Sequence, residues 1–156
     1  MAIREIRKEG DEILSKKCRE VEEVTDKILE LGQDMLDTMY KYDGIGLAAS
    51  QVGILKRVIV YDIKYFEEGE KPEPHILINP KITSMSKDMI EVEEGCLSFP
   101  DVYEKVLRHE KVTVEYIDTK GKKKKINAKD IEAVVLQHEI DHLDGIVFLD
   151  RVEEQK

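Results

Sequence analysis

The sequence predicts an α+β fold in which antiparallel sheets pack around a central C-terminal helix, with a second helix in the N-terminal region. Three features predict this class: two segments carry apolar residues at helical spacing, four short segments between them are β-branched or alternate polar with apolar residues, and a turn joins the last two of these. Strands that follow one another between two helices are typical of α+β proteins. The length of 156 residues suits one structural unit, so we expect residues 1–156 to form a single domain.

The N-terminal helix is expected to begin after Thr25, because a threonine hydroxyl can accept a hydrogen bond from the first turn of a helix. It should end near Asp43 and Gly44, where turn-forming residues replace the apolar pattern. The apolar residues recur at intervals of three and four: Ile28, Leu29, Leu31, Met35, Leu36 and Met39. This spacing gives the helix one apolar face to bury.

Strands are expected where β-branched residues cluster or alternate with polar ones. Residues 57–63 and 75–80 are short and rich in Val and Ile, and residues 111–118 alternate polar with apolar side chains. Residues 119–121 read Thr-Lys-Gly and predict a hairpin turn, which leads into a basic return strand at 122–127.

The second helix is expected to follow Asn127, which stands three residues before Asp130 and can cap the helix. Its apolar and histidine residues lie mostly on one face: Ile131, Val134, Val135, His138, Ile140 and His142. The helix should end at Asp144, with Gly145 in the left-handed conformation that terminates many helices.

Composition excludes several classes of function. Lys and Arg number 25 against 34 Asp and Glu, and the net charge of −9 disfavours general binding to DNA or RNA. Charges interrupt every hydrophobic segment and occupy the N-terminal residues, so we expect no secretory signal, no membrane function and a cytoplasmic location. In that reducing compartment Cys18 and Cys96 are not expected to form a disulfide, and each is either a small buried hydrophobe or a functional thiolate.

Residues 138–142 form an H-E-x-x-H motif. Histidines four positions apart lie on one helix face, so His138 and His142 can bind a single metal ion. Glu139 is offset by one position, where it can accept a proton from a metal-bound water. The alternative, an amphipathic helix whose histidines bind no metal, is disfavoured because the chain has only four histidines.

A catalytic metal held by this motif requires a third protein ligand. The extended metalloprotease motif would place a histidine at position 148, which is Phe148, and the fourteen residues after His142 leave little room for a helix that carries a ligating Glu. The ligand is therefore expected upstream. The candidates there are Cys18, Cys96, His75, His109 and the carboxylates.

Three segments together resemble the signature motifs of the peptide deformylase family: Gly44-Ile45-Gly46-Leu47-Ala48-Ala49-Ser50-Gln51, Glu94-Gly95-Cys96-Leu97-Ser98 and Gln137-His138-Glu139-Ile140-Asp141-His142-Leu143. They occur in the family's order, and the similarity covers nearly the whole chain. The first segment also fits a loose dinucleotide-binding pattern, but it follows a helix rather than a strand, which argues against nucleotide binding.

The resemblance implies that Cys96, His138 and His142 bind one divalent metal, with water in the open fourth position. Ferrous iron is the expected native metal, and zinc, nickel or cobalt can occupy the same ligands. Cys18, which lies in a polar stretch, keeps the interpretation of a buried residue without a role.

The resemblance also implies a reaction, the hydrolysis of the formyl group from formyl-methionine at the N-terminus of newly made polypeptides, with release of formate. Glu139 would take the proton of the metal-bound water and pass it to the leaving nitrogen. The Gln51 side-chain amide and the Leu97 backbone N–H would stabilise the negatively charged oxygen, and main chain around Gly46 and Gly95 would align the extended substrate.

An apolar pocket for the methionine side chain is expected from Ile45, Val92, Ile131 and Val134, although a core role fits each of these residues equally well. Tyr103 stands where several family members carry Arg, which alters the expected contact to the substrate backbone.

The expected partners are N-formylmethionyl nascent peptides, and the protein is expected to be a monomer that binds neither DNA nor membrane. Some family members dock on the ribosome through a long C-terminal helix, whereas this sequence stops shortly after Val152. Residues 122–125, four consecutive lysines, are the candidate for a transient ribosome contact, but a solvated strand edge is the favoured interpretation.

Two other functions stay open at this point. A small zinc metallopeptidase would share Glu139 and both histidines but would cleave internal amide bonds. A non-catalytic, metal-stabilised binding module would close the metal site with a fourth protein ligand, for which Cys18 is the only spare thiol.

Overall fold

The fold is built on a five-stranded antiparallel sheet with a helix packed on each face, as the computed structural model shows for residues 2–156. The described helices are α1 (Asp26–Lys41), α2 (Asp130–Leu143) and α3 (Phe148–Glu154), with 3-10 helices at Glu12–Ser15 and Ala49–Val52. The described strands are β1 (Gly46–Ala48), β2 (Val58–Tyr61), β3 (His75–Met85), β4 (Met89–Cys96), β5 (Phe99–His109), β6 (Lys111–Ile117) and β7 (Lys123–Lys129).

The strand order in the large sheet is β1-β2-β3-β6-β7, and every neighbouring pair is antiparallel. Strands β4 and β5 form a separate two-stranded ribbon inserted between β3 and β6 in the chain. Antiparallel sheets combined with helices confirm the α+β class.

Strand β2 is apolar at every position because both faces of the sheet are covered there. Val58 and Val60 pack into the core cluster beneath α1, whereas Ile59 and Tyr61 pack into the cluster beneath α2. Successive side chains of a strand point to opposite faces, so a strand covered on both faces needs a continuous apolar run. All four residues of β2 are buried.

Helix α1 begins and ends close to the predicted positions. The Thr25 hydroxyl accepts a hydrogen bond from the Ile28 backbone N–H at 3.4 Å, which confirms the predicted cap. Met35 and Met39 are fully buried against the sheet. Gly32 allows the helix to approach closely, because a Cβ there would lie 2.9 Å from Ile76.

The predicted cap of α2 is wrong. Asn127 lies within β7, and its side chain accepts a hydrogen bond from the Thr113 hydroxyl across the strand pair. The strand instead runs directly into the helix, and Asp130 makes the change of direction with a φ of 54°. At the other end Gly145 adopts a φ of 74°, as predicted, and a Cβ there would lie 2.5 Å from the Ser15 carbonyl oxygen.

The remaining strands are found with altered bounds, and several elements are additions to the prediction. Strand β3 continues to Met85 rather than ending at 80, and the β4–β5 ribbon and α3 are not anticipated by the periodicity. Across the described residues, the helices are too short or too polar to cross a membrane.

Candidate active site

Helix α2 carries three consecutive buried polar residues at 137–139. Gln137 fixes the helix to the end of the ribbon, because its side chain accepts from the His109 N–H and donates to the His109 carbonyl. His138 and Glu139 are thereby held on the side of α2 that faces the ribbon and β1.

Cys96, His138 and His142 converge at one point. Cys96 ends β4, the two histidines lie one turn apart on α2, and one ligand atom from each residue lies within 4.8 Å of the others. The distance from Cys96 Sγ to His142 Nε2 is 3.4 Å. A thiolate and two imidazoles so close together form a donor set that suits a divalent transition metal.

Glu94 orients the first histidine of this cluster. His138 Nδ1 lies 2.8 Å from Glu94 Oε1, so the ring donates through Nδ1 and leaves Nε2 free to act as a ligand. The Arg108 guanidinium donates to both oxygens of Glu94 at 2.7 and 2.9 Å. Burial raises the pKa of Glu94, but the hydrogen bonds and charges of Arg108 and His138 outweigh it and lower the pKa to about 2.

The same arginine links the site to the last helix. Arg108 is 3% exposed and also donates to Asp141 Oδ2 at 2.7 Å. Arg151 of α3 donates to both oxygens of Asp141 at 3.0 and 2.8 Å. A buried charge is costly unless it is paired, and here each buried charge has a partner of opposite sign.

Glu139 lies beside the ligand cluster without a partner for one of its oxygens. Its Oε1 is buried and makes no hydrogen bond within the described residues. Burial, together with the nearby carboxylates of Glu94 and Asp141, raises the pKa of Glu139 to about 7, against the opposing effect of His138 and Arg108.

A glycine makes room for this carboxylate. A Cβ at Gly46 would lie 2.6 Å from Glu139 Oε2, so only glycine allows β1 to approach the carboxylate at this distance.

The two histidines have opposite electrostatic environments. Burial lowers the pKa of His138, but the Glu139, Glu94 and Cys96 side chains outweigh it and raise the pKa well above its ordinary value. Burial and the positive charges of His138 and Arg108 lower the pKa of His142. His142 is therefore neutral, the protonation state that metal ligation requires.

Gln51 lies at the edge of the cluster in a fixed orientation. Its Oε1 accepts from the Ala48 N–H at 2.9 Å, so its Nε2 donates toward Ser98 Oγ at 3.1 Å and Cys96 Sγ at 3.4 Å. Backbone hydrogen bonds connect an N-terminal segment to both Gln51 and Ser98. The Arg7 N–H donates to the Gln51 carbonyl, and the Glu9 N–H donates to the Ser98 carbonyl.

A cavity of about 600 Å³ opens beside these residues. It brings together the predicted catalytic and substrate-binding residues Ile45, Gly46, Gln51, Val92, Gly95, Leu97, Ile131, Val134 and Glu139. The same cavity contains Cys96 and His138, whereas His142 is fully buried behind them. Tyr103 also lines the cavity, and its ring lies against Gly95, where a Cβ would come within 2.7 Å of it.

Three of the upstream ligand candidates lie elsewhere. Cys18 is buried in the core beneath α2, where burial raises the pKa of its thiol. His75 stacks on the Tyr61 ring, and His109 pairs with the Ser86 carbonyl at 2.7 Å. None of the three belongs to the metal-ligating cluster found among residues 2–156.

The sequence did not predict the connected ion pairs behind the ligands, which join Glu94, Arg108, Asp141 and Arg151. Glu94 and Asp141 stand inside the recognised motifs, but no role was predicted for either. Arg108 and Arg151 have no sequence signal, because a buried arginine cannot be told from a surface arginine by composition. The sequence indicated these ion pairs only through the acidic residues near the ligands: Glu94 two positions before Cys96, and Asp141 directly before His142.

Comparisons with known proteins give a consistent result. The model of the family described as polypeptide deformylase matches residues 3–156. Peptide deformylase of Brachyspira hyodysenteriae is 45% identical over 152 residues, which cover 97% of this chain and 81% of that protein. Peptide deformylase of Natranaerobius thermophilus is 47% identical over 154 residues, which cover 99% and 95%.

Solved structures agree with the sequence matches. The crystal structure of peptide deformylase from Ehrlichia chaffeensis in complex with actinonin superposes with a TM-score of 0.91 at 40% identity. The match covers 97% of this chain and 89% of that chain.

Proposed function

The chain belongs to the polypeptide deformylase family, and from this premise we propose that Cys96, His138 and His142 bind the catalytic metal while Glu139 transfers the proton. Its reaction is the hydrolysis of the formyl group from nascent peptides, which makes it a hydrolase. The observation that carries the proposal is the convergence of the three ligand atoms within 4.8 Å at the wall of the cavity.

The donor set fits the metal dependence of the family. Two imidazoles and one thiolate accept ferrous iron, zinc, nickel or cobalt, and we assign ferrous iron as the native metal from the family resemblance. When bound, a divalent ion with three protein ligands supplies Lewis-acid activation of water at its open position.

Glu139 is the proposed proton carrier. Its Oε1 is buried and has no hydrogen-bond partner within the described residues, so it is available to accept the proton of the attacking water. The same oxygen would then donate that proton to the leaving nitrogen as the C–N bond breaks, which releases formate and a free amine.

Gln51 and Leu97 are the proposed donors to the oxygen that becomes negative when water attacks the formyl carbon. The Ala48 N–H fixes the Gln51 amide with its Nε2 directed toward Cys96, so one N–H would pass from the sulfur or from Ser98 to the developing oxyanion without rotation of the side chain. Support for Leu97 comes from its position directly after Cys96 and from its place in the lining of the same cavity.

The cavity wall suits a peptide with an apolar first side chain. We propose that Ile45, Ile131 and Val134 contact the methionine, and that main chain at Gly46 and Gly95 aligns the peptide in an extended conformation. Val134 is 3% exposed and Ile131 is 43% exposed, so Ile131 is the more accessible of the two on α2.

The test is product analysis with the metal-loaded protein. Protein purified without oxygen and loaded with Fe²⁺ should release formate from formyl-Met-Ala-Ser and leave intact Met-Ala-Ser. Cleavage inside the peptide without formate would instead indicate the metallopeptidase alternative. The Glu30→Gln variant, which changes an exposed glutamate of α1, is the matched control for Glu139→Gln.

Further properties follow from this activity. We propose that residues 1–156 form one catalytic domain, that the protein acts as a cytoplasmic monomer, and that its contact with the ribosome is transient. The family match over residues 3–156 supports the domain assignment. Sedimentation of the metal-loaded protein tests the monomer.

A further inference from the structure

The outer face of the large sheet is only partly covered. Helix α1 packs over β1, β2 and the beginning of β3. Farther along the sheet, the inner side chains of β6 and β7, such as Val112, Val114 and Ala128, belong to the core beneath α2. The alternate residues of these strands therefore point to the opposite, outer face.

This outer face is strongly basic. Strand register places Glu115 between Lys81 and Lys125, and Lys111 beside Lys129. Lys123 pairs with Ile117, which packs on the α1 side of the sheet and so identifies the same face. We name this surface the lysine face: Lys81, Lys111, Lys123, Lys125 and Lys129.

The lysines of this face outnumber its carboxylates. All five are exposed, and none forms an ion pair within the part of the chain that the structure describes. Glu115 is the acidic residue that the strand register places among them. A protein of net charge −9 thus has five lysines and one glutamate together on one sheet surface.

The lysine face ends at the hairpin turn between β6 and β7, where acidic residues lie next to the lysines. At the hairpin turn, Lys120 shares a shallow groove with Glu22 and Glu23, so the basic surface does not extend past the end of the strands. The Asp118 carboxylate in that turn is occupied by the backbone N–H groups of Lys120 and Lys122.

We propose that the lysine face docks on the phosphate backbone of structured RNA. Alternate residues of a strand are about 7 Å apart and neighbouring strands about 5 Å apart, so the lysines form a flat array rather than a pocket for a single phosphate. Asn127, whose Oδ1 accepts from the Thr113 hydroxyl, lies among the lysines and adds an exposed side-chain amide that can donate to phosphate.

RNA fits this face better than a lipid surface does. The residues between the lysines are Thr113, Glu115 and Asn127, none of which can insert into a membrane interface. The purpose of the contact rests on the proposed function, because nascent peptides are presented by the ribosome, whose surface is rich in RNA. The negative charge of the rest of the chain would confine RNA contact to this face.

The test measures RNA binding by the intact, metal-loaded protein, with no turnover involved. The probe is a fluorescent 20-base-pair RNA hairpin in 50 mM salt, and the test variant combines Lys111→Gln, Lys125→Gln and Lys129→Gln. The control variant, Lys17→Gln with Lys27→Gln and Lys56→Gln, makes the same change of net charge at exposed lysines elsewhere.

The test variant should bind the RNA at least about tenfold more weakly, whereas the control should stay within about twofold of the natural chain. If all five lysines contact phosphate, the logarithm of the affinity should fall with the logarithm of salt concentration with a slope of about −4.5. Replacement of the same three lysines by Arg should preserve binding, which separates loss of charge from loss of folding.

Three results would overturn the proposal: no RNA binding by the natural chain, equal weakening in both variants, or equally tight lysine-dependent binding to vesicles with 30% anionic lipid. If RNA affinity falls equally in both variants, the remaining explanation for the lysines is that they prevent another strand from pairing with the edge strand β7. Formate release from a free tripeptide is measured separately, so failure of RNA binding is distinguishable from failure of the proposed catalysis.

Discussion

His138 Nδ1 and Glu94 Oε1 lie 2.8 Å apart, and this hydrogen bond decides which nitrogen of His138 faces the cluster with Cys96 and His142. The carboxylate is itself held by two bonds from Arg108, so the ring orientation is fixed before a metal arrives. A ligand held in this way loses less conformational freedom when it binds the ion.

Glu94→Gln should lower the affinity for the metal by about 10-fold to 100-fold, because the neutral amide holds the His138 ring less strongly and leaves Arg108 with one carboxylate. Competition with a chromogenic chelator measures this affinity. Glu104→Gln changes an exposed residue on the same ribbon, directly opposite Glu94 in the strand register, and should leave the affinity unchanged. Equal metal affinity in all three proteins would contradict the positioning role.

Glu139→Gln should retain the metal but lower the deformylation rate by about 10² to 10⁴, because the amide cannot accept the proton of water. Metal content and formate release from formyl-Met-Ala-Ser are measured on the same sample. Near-normal turnover would refute Glu139 as the proton carrier, and a comparable loss in Glu30→Gln would show that the effect is not specific.

Gly46→Ala should slow catalysis without removing the metal. The new Cβ would lie 2.6 Å from Glu139 Oε2, so the carboxylate must move away from its position beside the ligands. A displacement of this kind predicts non-additivity: the double variant with Glu139→Gln should be no slower than Glu139→Gln alone. Fully additive losses would show that Gly46 acts independently of Glu139.

Cys96→Ser should abolish stoichiometric metal binding, whereas Cys18→Ser should leave the metal content and the rate unchanged. The reason is position: Cys18 packs among core residues beneath α2 and lies outside the ligand cluster. Elemental analysis of both variants after exposure to a chelator provides the measurement. Loss of metal from Cys18→Ser would restore the four-ligand binding-module alternative.

Asp62 should contribute pH-dependent stability to the fold. Burial raises the pKa of Asp62, but hydrogen bonds from the Tyr40 hydroxyl and from the backbone N–H groups of Lys64, Glu73 and Tyr65 outweigh it and lower the pKa. The contribution is therefore fully present above the ordinary value of 3.8 and is lost as the pH falls through the lower folded-state pKa.

Asp62→Asn should then reduce the free energy of unfolding by about 2 kcal/mol at neutral pH, with the difference from the natural chain shrinking in acid. Urea unfolding of both proteins between pH 3 and 7 tests this pattern. Asp88→Asn, which changes an exposed carboxylate before β4, should show no such difference. A difference that grows in acid would contradict the sign of the Asp62 effect.

The parts of the fold that were predictable from sequence are those with strong local periodicity. Helix α1 follows from its apolar spacing and the Thr25 hydroxyl, and β2 follows from its continuous apolar run. The ribbon formed by β4 and β5 has only short alternating runs, such as Ile-Glu-Val-Glu at 90–93, and many charged residues, so its extent and its pairing are not evident from the sequence. Asn127 failed as a cap because a cross-strand partner, Thr113, competes for its side chain.

The candidate ligands were recognisable because helical spacing brings His138 and His142 to one face, and a family resemblance supplied Cys96. Arg108, the buried cation that pairs with carboxylates behind these ligands, was not recognisable from the sequence. Arg108 is separated in sequence from both of its carboxylate partners and becomes their neighbour only when the ribbon folds against α2. Long-range ion pairs of this kind leave no local pattern to read.

The hydrogen bonds of Arg7 and Glu9 have a consequence for biosynthesis. These residues leave the ribosome early, yet their backbone partners, Gln51 and Ser98, come much later in the chain. The two histidines come later still, since 46 positions separate Cys96 from His142. A partly made copy that still lacks α2 therefore has no complete ligand cluster, so the proposed catalysis requires that the chain be synthesised at least through His142.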